Sequence, residues 1–146
     1  MIALIQRVNQ AEVEVNGKII SSIRRGILVF LGIEKDDGEV EADYLINKLV
    51  NLRIFEDQNG KMNLSIKEIG GEIMVVSEFT LAGDCRKGNR PSFDRAMEPE
   101  KAEILYRYFV EKLKKSDLTV KEGVFRSFMK VSLINDGPVT FIIKTG

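Results

Sequence analysis

Histidine is missing from this chain, and its absence excludes several kinds of active site. A Ser-His-Asp or Cys-His arrangement cannot be built without an imidazole group. The usual zinc sites, which need histidine or several cysteines, are excluded as well. Any catalysis must therefore use carboxylates, hydroxyl groups, backbone amides, a perturbed lysine or the substrate itself.

The chain also has a single cysteine and no net charge. Cys85 is the only cysteine, so the chain cannot form an internal disulfide and has no metal-binding cysteine spacing. The 22 basic residues are balanced by 22 acidic residues. Because the overall field is neutral, any contact with nucleic acid must come from a local patch. We expect no metal and no cofactor.

Long hydrophobic runs are absent too. No apolar stretch approaches the roughly 18 residues that suggest a membrane span, and residues 1–7 lack the pattern of a signal peptide. These features predict a cytoplasmic protein that has no membrane partner. The 146 residues fit a single domain, 1–146, which is large enough to bury a core without a disulfide or a metal.

Short apolar or alternating runs predict strands near both ends of the chain. Asn16-Gly17 is a type I′ turn sequence and predicts an early hairpin. The predicted strands are 2–8, 11–15, 18–23, 26–33, 73–81, 118–120, 124–125, 129–134 and 139–143.

Two helices are predicted between these groups of strands. The first covers about 38–52 and follows Asp36 and Asp37, which can cap it. The second begins at Pro99 and keeps an apolar face as far as Leu113. Strands at both ends with helices between them favour an α+β fold over a sheet built from βαβ units.

The run Asn135-Asp-Gly-Pro-Val-Thr140 places turn residues between two apolar runs. The simplest interpretation is the tip of a β-hairpin. Gly137 can approach another backbone closely because it has no Cβ, and Pro138 follows it through a bond that tolerates the cis form. A cis bond would make two adjacent carbonyls a fixed pair of acceptors for reading the shape of a small ligand.

Two other segments carry polar groups that suit chemistry. Ser77-Glu-Phe-Thr-Leu81 ends an apolar strand with hydroxyl and backbone N–H groups, or else is only the polar end of that strand. A regular strand would point Glu78 to the opposite face from its immediate neighbours, and no base adjacent to Thr80 is evident. The loop 86–93 combines three basic residues with glycine and proline; it suits phosphate binding or is an ordinary solvated loop.

Taken together, these segments resemble the D-aminoacyl-tRNA deacylase family, also called D-tyrosyl-tRNA deacylase, over essentially the whole chain. Short matching fragments occur in the family's order and spacing. They are MIALIQRV at residue 1, LGIEKDD at 31, RIF at 53, GKMNL at 60, VVSEFTL at 75, RPSF at 90, LYRYFV at 105 and VSLINDGPVT at 131.

The resemblance implies a cytoplasmic homodimer with a barrel-like, antiparallel-rich β core and two main helices. It implies hydrolysis of the ester that joins a D-amino acid, or glycine, to the 3′-terminal adenosine of tRNA. Thr80, Ser77 and Phe79 would be catalytic. The substrate-binding residues it implies are Gly137, Pro138, Arg7, Glu78, Leu81, Phe125 and Met129, and Asn135, Asp136 and Thr140 complete the Gly-Pro motif.

The resemblance also assigns roles to particular residues. The Gly137-Pro138 bond would be cis and inserted into the pocket of the partner subunit, where its carbonyls occupy the volume that an L side chain needs. Arg7 matches an arginine thought to hold those carbonyls, and Phe125 and Met129 match the adenosine pocket. Glu78 stands where the family usually has glutamine, so this side chain keeps an acceptor, loses an amide donor and gains a potential charge.

Two mechanisms are compatible with the resemblance. In one, Thr80 attacks the ester and forms an acyl-enzyme. In the other, the adenosine 2′-OH assists a water molecule while backbone amides stabilise the oxyanion. We favour the second because no base is evident beside Thr80. A non-catalytic RNA-binding module and a small-ligand regulatory domain remain alternatives from the residues alone.

Overall fold

The computed structural model describes all 146 residues and contains eight strands, two α-helices and one short 3-10 helix. The elements in chain order are β1 (Ile2–Val15), β2 (Lys18–Ile23), β3 (Gly26–Gly32), α1 (Glu39–Asn51), β4 (Phe55–Glu56), β5 (Met62–Leu64), β6 (Glu72–Ser77), the 3-10 helix (Phe79–Ala82), α2 (Pro99–Lys114), β7 (Thr119–Glu122) and β8 (Lys130–Lys144).

One six-stranded sheet forms the core, with strand order β2-β1-β3-β6-β7 and with β8 on the other edge of β1. The sheet is nearly closed like a barrel, and two helices flank it. This confirms the predicted α+β fold with a barrel-like core and two main helices. Neither helix is long and apolar enough to cross a membrane.

Strand β1 organises the sheet because it is one unbroken strand of 14 residues, where two shorter strands were predicted. Its first half pairs with β3 and its second half with β2, while β8 pairs along the opposite edge for nearly its full length. The predicted turn between β1 and β2 is confirmed: Asn16 and Gly17 both have positive φ, as a type I′ turn requires.

The middle of the sheet is parallel. Strand β3 pairs with β6 and β6 pairs with β7, and each connection passes through a helix. These two crossovers were not predicted from the sequence. They place the carboxyl end of β6 between α2 and the last part of the chain, where the candidate site lies.

Helix α1 begins differently from the prediction. Its N-cap residue is Gly38, whose N–H donates to the Glu41 carboxylate (2.9 Å). Asp37 instead accepts hydrogen bonds from the Met1 ammonium group (2.5 Å) and from the Glu34 N–H (2.6 Å). Asp37, which was expected to cap the helix, therefore fixes the residue before β1 against the loop after β3.

The core lies between the sheet and the two helices. Its largest fully buried side chains include Phe55 of β4, Leu45 and Leu49 of α1, and Tyr106 and Phe109 of α2. The Tyr106 hydroxyl donates to the Val75 carbonyl of β6 (3.0 Å). This buried bond joins α2 to the strand that leads directly into the candidate site.

Candidate active site

The strand that was predicted to run to residue 81 ends at Ser77, and the chain then turns into the 3-10 helix. The Leu81 N–H donates to the Glu78 carbonyl (3.2 Å), which closes the turn. Gly32 leaves room for this turn, because a Cβ on residue 32 would lie only 2.9 Å from the Leu81 Cβ. The backbone at Phe79 and Thr80 begins a helix, where N–H groups have no intrahelical acceptor.

Glu78 and Thr80 contact each other in this turn. The Thr80 hydroxyl donates a short hydrogen bond to the Glu78 carboxylate. Thr80 is exposed and Glu78 is half-buried. The expectation that no base lies beside Thr80 is therefore wrong: the chain does not follow a regular strand here, and the turn brings the carboxylate to the hydroxyl.

A cavity of about 650 Å³ opens beside this turn. Ser77, Glu78 and Phe79 form one wall, and Phe125 and Met129 form part of another. Most of its lining is apolar, which is typical of a small-molecule site with a few polar groups. The further lining residues are Ile33, Val76, Phe93, Ala96, Met97, Glu98, Pro99, Ala102, Arg126, Ser127, Phe128 and Val131.

Phe125 and Met129 are held by local contacts. The Phe125 ring packs against the ring of Tyr106, with 5.5 Å between the centroids. The Met129 sulfur accepts a hydrogen bond from the Val124 N–H (3.4 Å). The predicted strand at 124–125 is wrong, because the chain turns there and Arg126 adopts a positive φ of 62°. The turn points both side chains into one cavity.

The run Asn135–Thr140 is not a hairpin tip, and this expectation is also wrong. Strand β8 continues through the run and pairs with β1 on both sides of it. Val8 faces Asn135 and Gln6 faces Thr140, so the residues between them form a bulge opposite Arg7. The bulge contains a cis bond between Gly137 and Pro138.

Arg7 holds the bulge through hydrogen bonds, and its side chain is only 5% exposed. Its Nε donates to the Asp136 carbonyl (3.0 Å), and its Nη1 donates to the Ile54 carbonyl (2.8 Å). Its guanidinium also faces the Asp136 carboxylate (3.1 Å). Within the single chain, the carbonyl that Arg7 holds is therefore that of Asp136, the residue before Gly137.

Asn135 joins the two sides of the bulge. Its side-chain amide donates to the Arg7 carbonyl (2.9 Å) and to the Val139 carbonyl (3.1 Å). A Cβ at Gly137 would lie 2.7 Å from the Asn135 side-chain oxygen. Gly137 and Pro138 are both exposed, and neither lines the cavity of its own chain.

The predicted residues thus separate into two groups. Ser77, Glu78, Phe79, Phe125 and Met129 meet at the cavity. The bulge residues and Arg7 lie outside it, as do Thr80 and Leu81 of the turn.

The basic loop lies next to the cavity. Asp84 accepts hydrogen bonds from the Arg86 side chain and N–H, and this guanidinium holds the pKa of the Asp84 carboxyl far below its usual range. The other basic residues of the loop, Lys87 and Arg90, form no ion pair. Cys85 is exposed.

Sequence reasoning missed several cavity residues, of which Phe93 and Phe128 are the most prominent. The Phe93 ring packs edge-on against the Phe79 ring (5.2 Å), and the Phe128 side chain is fully exposed. Phe93 lies in a long loop, and loops of that length are usually functional. That signal was present, but it did not indicate which side of the loop faces the cavity.

Comparison with known proteins gives a consistent result. The family described as D-Tyr-tRNA(Tyr) deacylase matches residues 4–144. A protein of Thermodesulfovibrio yellowstonii named D-aminoacyl-tRNA deacylase is 70% identical over 145 residues, which are 99% of each chain.

Two solved structures have the same fold. One, named c-Myc DNA Unwinding Element Binding Protein, is 43% identical with a TM-score of 0.95 and covers 100% of this chain and 99% of its own. The other, described as a probable eukaryotic D-amino acid tRNA deacylase, is 18% identical with a TM-score of 0.82 and covers 97% of both chains. At 18% identity, the similarity to the second structure shows the fold alone.

Proposed function

Because this chain belongs to the D-Tyr-tRNA(Tyr) deacylase family, we propose that its cavity binds the 3′ end of an aminoacyl-tRNA and that the turn at Ser77–Leu81 is where the ester is cleaved. The enzyme is a hydrolase that acts on the ester bond of D-aminoacyl-tRNA. The observation that carries the placement is the junction of a largely apolar cavity with a polar turn. We place this work in the cytoplasm, where charged tRNA is used.

The two walls of the cavity suit the two parts of the substrate. Phe125 and Met129 offer apolar surface to the terminal adenine, and aromatic side chains stack on bases. The ester then lies toward Ser77 and Phe79. The N–H group of Phe79, at the start of the 3-10 helix, would then donate to the developing oxyanion and stabilise it.

Selection against L-amino acids is assigned to the bulge of a second copy of this chain. Gly137 and Pro138 are exposed, and the hydrogen bonds of Arg7 and Asn135 hold the bulge around them in place. Inserted into the partner's cavity, their carbonyls would occupy the space of an L side chain and exclude it. Glycine has no side chain to exclude, so glycyl-tRNA would be accepted as well.

The exposed face of β8 supports a homodimer. This strand pairs with β1 on one edge only, and an unpaired edge is a template for further pairing. Ile134, Phe141 and Ile142 are exposed apolar residues on the same strand.

The ribose 2′-OH assists the attacking water in this proposal, and the protein positions the reactants. Thr80 is exposed and does not line the cavity, which argues against a role as nucleophile. We therefore expect Thr80→Ala to retain much of its activity and a substrate ending in 2′-deoxyadenosine to be cleaved poorly. Complete loss of activity in a folded Thr80→Ala variant would contradict this mechanism.

The test of the function is incubation with D-Tyr-tRNA and Gly-tRNA while free amino acid is measured. We expect release from both. An RNA-binding module would retain the tRNA on a filter and release nothing, and the balanced charge of the chain already argues against that alternative.

A further inference from the structure

We propose that Phe128 and the basic loop, 86–93, form a second binding surface for the single-stranded nucleotides that precede the terminal adenosine of the tRNA. Phe128 stacks on the base next to the adenosine, and Lys87 and Arg90 contact phosphates. This inference rests on the proposed function, because it starts from an adenosine bound in the cavity. It concerns the part of the substrate that must leave the cavity through its mouth.

The turn after β7 presents two aromatic rings at different depths. Phe125 is half-buried and packs against the buried Tyr106 ring, with 5.5 Å between the centroids. Phe128 also lines the cavity, but its side chain is more exposed than that of any other large apolar residue of the chain. We therefore place Phe125 inside the cavity and Phe128 at its mouth. A base next to the bound adenosine meets the exposed ring there, and bases of any identity stack on aromatic rings.

The basic loop is anchored to the wall of the cavity that the turn after β6 forms. Asp84 and Ser92 exchange two backbone hydrogen bonds (2.7 and 2.9 Å), which close the loop at its base. The next residue, Phe93, lines the cavity and packs against the Phe79 ring. Residues 85–91 therefore project from a base that is fixed beside the cavity.

The projecting part of the loop carries positive charge that the chain does not neutralise. Arg86 pairs with Asp84 (2.5 Å), whereas Lys87 and Arg90 are exposed and form no ion pair. Residues 85–91 include no acidic residue. Because the chain as a whole has no net charge, this local excess is what can attract the phosphates of a nucleic acid.

The other charges at the cavity do not oppose a phosphate strongly. Glu98 lies 3.4 Å from the Lys101 ammonium group, which partly neutralises it. Arg126 pairs only with Glu100 (3.5 Å), and both side chains are exposed. Such a surface pair is weak, so a phosphate can replace the carboxylate.

A single strand of nucleic acid accounts for both features of the surface. Proteins bind single strands by combining aromatic rings, on which bases stack, with cations along the backbone. A second copy of this chain is the competing occupant of Phe128, since β8 begins two residues later. That contact would explain the exposed ring but would leave Lys87 and Arg90 without a role.

Phe128 is tested by comparing two substrates, D-Tyr-tRNA and 3′-O-(D-tyrosyl)adenosine, which has no preceding nucleotide. The measured quantity is the ratio of their kcat/KM values. In Phe128→Ala this ratio should fall by about tenfold, the scale of one base stacked on an aromatic side chain. Phe128→Leu, which keeps apolar bulk without a ring, should fall similarly, and Phe128→Tyr should keep the native ratio. Ile104→Ala, at an exposed apolar position on α2, is the matched control and should also keep it.

Lys87 and Arg90 are tested by the salt dependence of binding. The affinity for uncharged tRNA is measured by filter binding from low to physiological salt. The slope of log affinity against log salt should become shallower by about 0.7 in Lys87→Ala and in Arg90→Ala, the value for one phosphate of a single strand. Lys67→Ala removes an exposed lysine that precedes the opposite end of β6, and it should leave the slope unchanged.

The possible outcomes separate the two proposals. If the native enzyme releases tyrosine from neither substrate, the proposed function fails and this inference fails with it. If the native enzyme is active but Phe128→Ala keeps the native ratio, or Lys87→Ala and Arg90→Ala keep the native slope, the function stands and the second surface is wrong. A Phe128→Ala variant that keeps the ratio but has the mass of one chain in light scattering would assign the ring to the dimer instead.

Discussion

At the scale of single residues, the contact of Thr80 with Glu78 and that of Arg7 with Asp136 both depend on where a strand is interrupted. The S-E-F-T-L segment and the Gly-Pro pair were both identified from residue type and order. The bond between Thr80 and Glu78 was not, because it depends on the strand ending at Ser77. The partner of Arg7 could not be predicted either, since a one-residue difference in the bulge changes which carbonyl it meets.

Tyr106 gives a prediction about stability. Its buried hydroxyl donates to the Val75 carbonyl, which also accepts the Gly123 N–H (3.0 Å). Removing the hydroxyl in Tyr106→Phe should lower the free energy of unfolding by about 1 kcal/mol at neutral pH, the net contribution of one hydrogen bond. Tyr108→Phe, which removes a partly exposed hydroxyl from the same helix, should cost less. Urea unfolding measures both.

The same residue gives the sign of a pH effect. Burial, followed by the charge of Glu122, raises the pKa of the Tyr106 phenol above its ordinary value. Above about pH 10 the unfolded chain therefore releases this proton while the folded chain retains it, and stability falls as the pH rises. Tyr106→Phe lacks this loss, so its stability deficit should shrink in urea unfolding at about pH 11. A deficit that stays constant would contradict the argument.

At the scale of elements, the strands and helices were largely predictable and their connections were not. The 3.6-residue period located α2, and alternation located most strands. The bulge in β8 was interpreted as a hairpin, because turn residues between two apolar runs usually predict a hairpin. Pairing with an unbroken β1 decides otherwise, and that pairing joins residues 116 to 142 positions apart, from Glu14 with Lys130 to Ile2 with Lys144.

The junction of β3 with the 3-10 helix gives a prediction at this scale. In Gly32→Ala the new Cβ would press on Leu81 (2.9 Å) and on the Glu78 carbonyl (3.2 Å). The turn should shift by a few tenths of an ångström, and kcat/KM for D-Tyr-tRNA should fall by about tenfold or more, because small misplacements of reacting groups are costly.

Gly38→Ala is the matched control for this variant. Its Cβ would come no nearer than 3.6 Å to another group, the Glu41 carboxylate. It should keep kcat/KM near the native value. Equal losses in the two variants would show that the effect is general and does not come from the turn.

At the scale of the whole molecule, the single-chain structure leaves the Gly137-Pro138 bulge outside its own cavity. A role in selectivity therefore requires a second copy, and the sequence could indicate this only through family resemblance. No local pattern of residues specifies what another chain covers.

The dimer is tested by Ile142→Lys on the exposed face of β8. Ile142 is 61% exposed, and a charge there should oppose burial by a second copy. Light scattering should give twice the 16.5 kDa chain mass for the native protein and a mass closer to one chain for the variant. Ile104→Lys, a comparably exposed isoleucine on α2, should stay dimeric. A native protein that remains monomeric at high concentration would contradict the proposal that the bulge of a second copy excludes L-amino acids.

We propose that the bulge of one chain excludes L-amino acids from the cavity of its partner, where D-aminoacyl-tRNA is cleaved. The most direct test of this proposal is the ratio of hydrolysis rates for D-Tyr-tRNA and L-Tyr-tRNA, measured for the native enzyme and for Gly137→Ala, whose Cβ would displace the Asn135 amide. We expect the native enzyme to release tyrosine rapidly from D-Tyr-tRNA and not from L-Tyr-tRNA. In Gly137→Ala the ratio of the two rates should be at least about tenfold lower, chiefly because L-Tyr-tRNA becomes a substrate. An unchanged ratio in a folded Gly137→Ala variant, or equal cleavage of both substrates by the native enzyme, would contradict it.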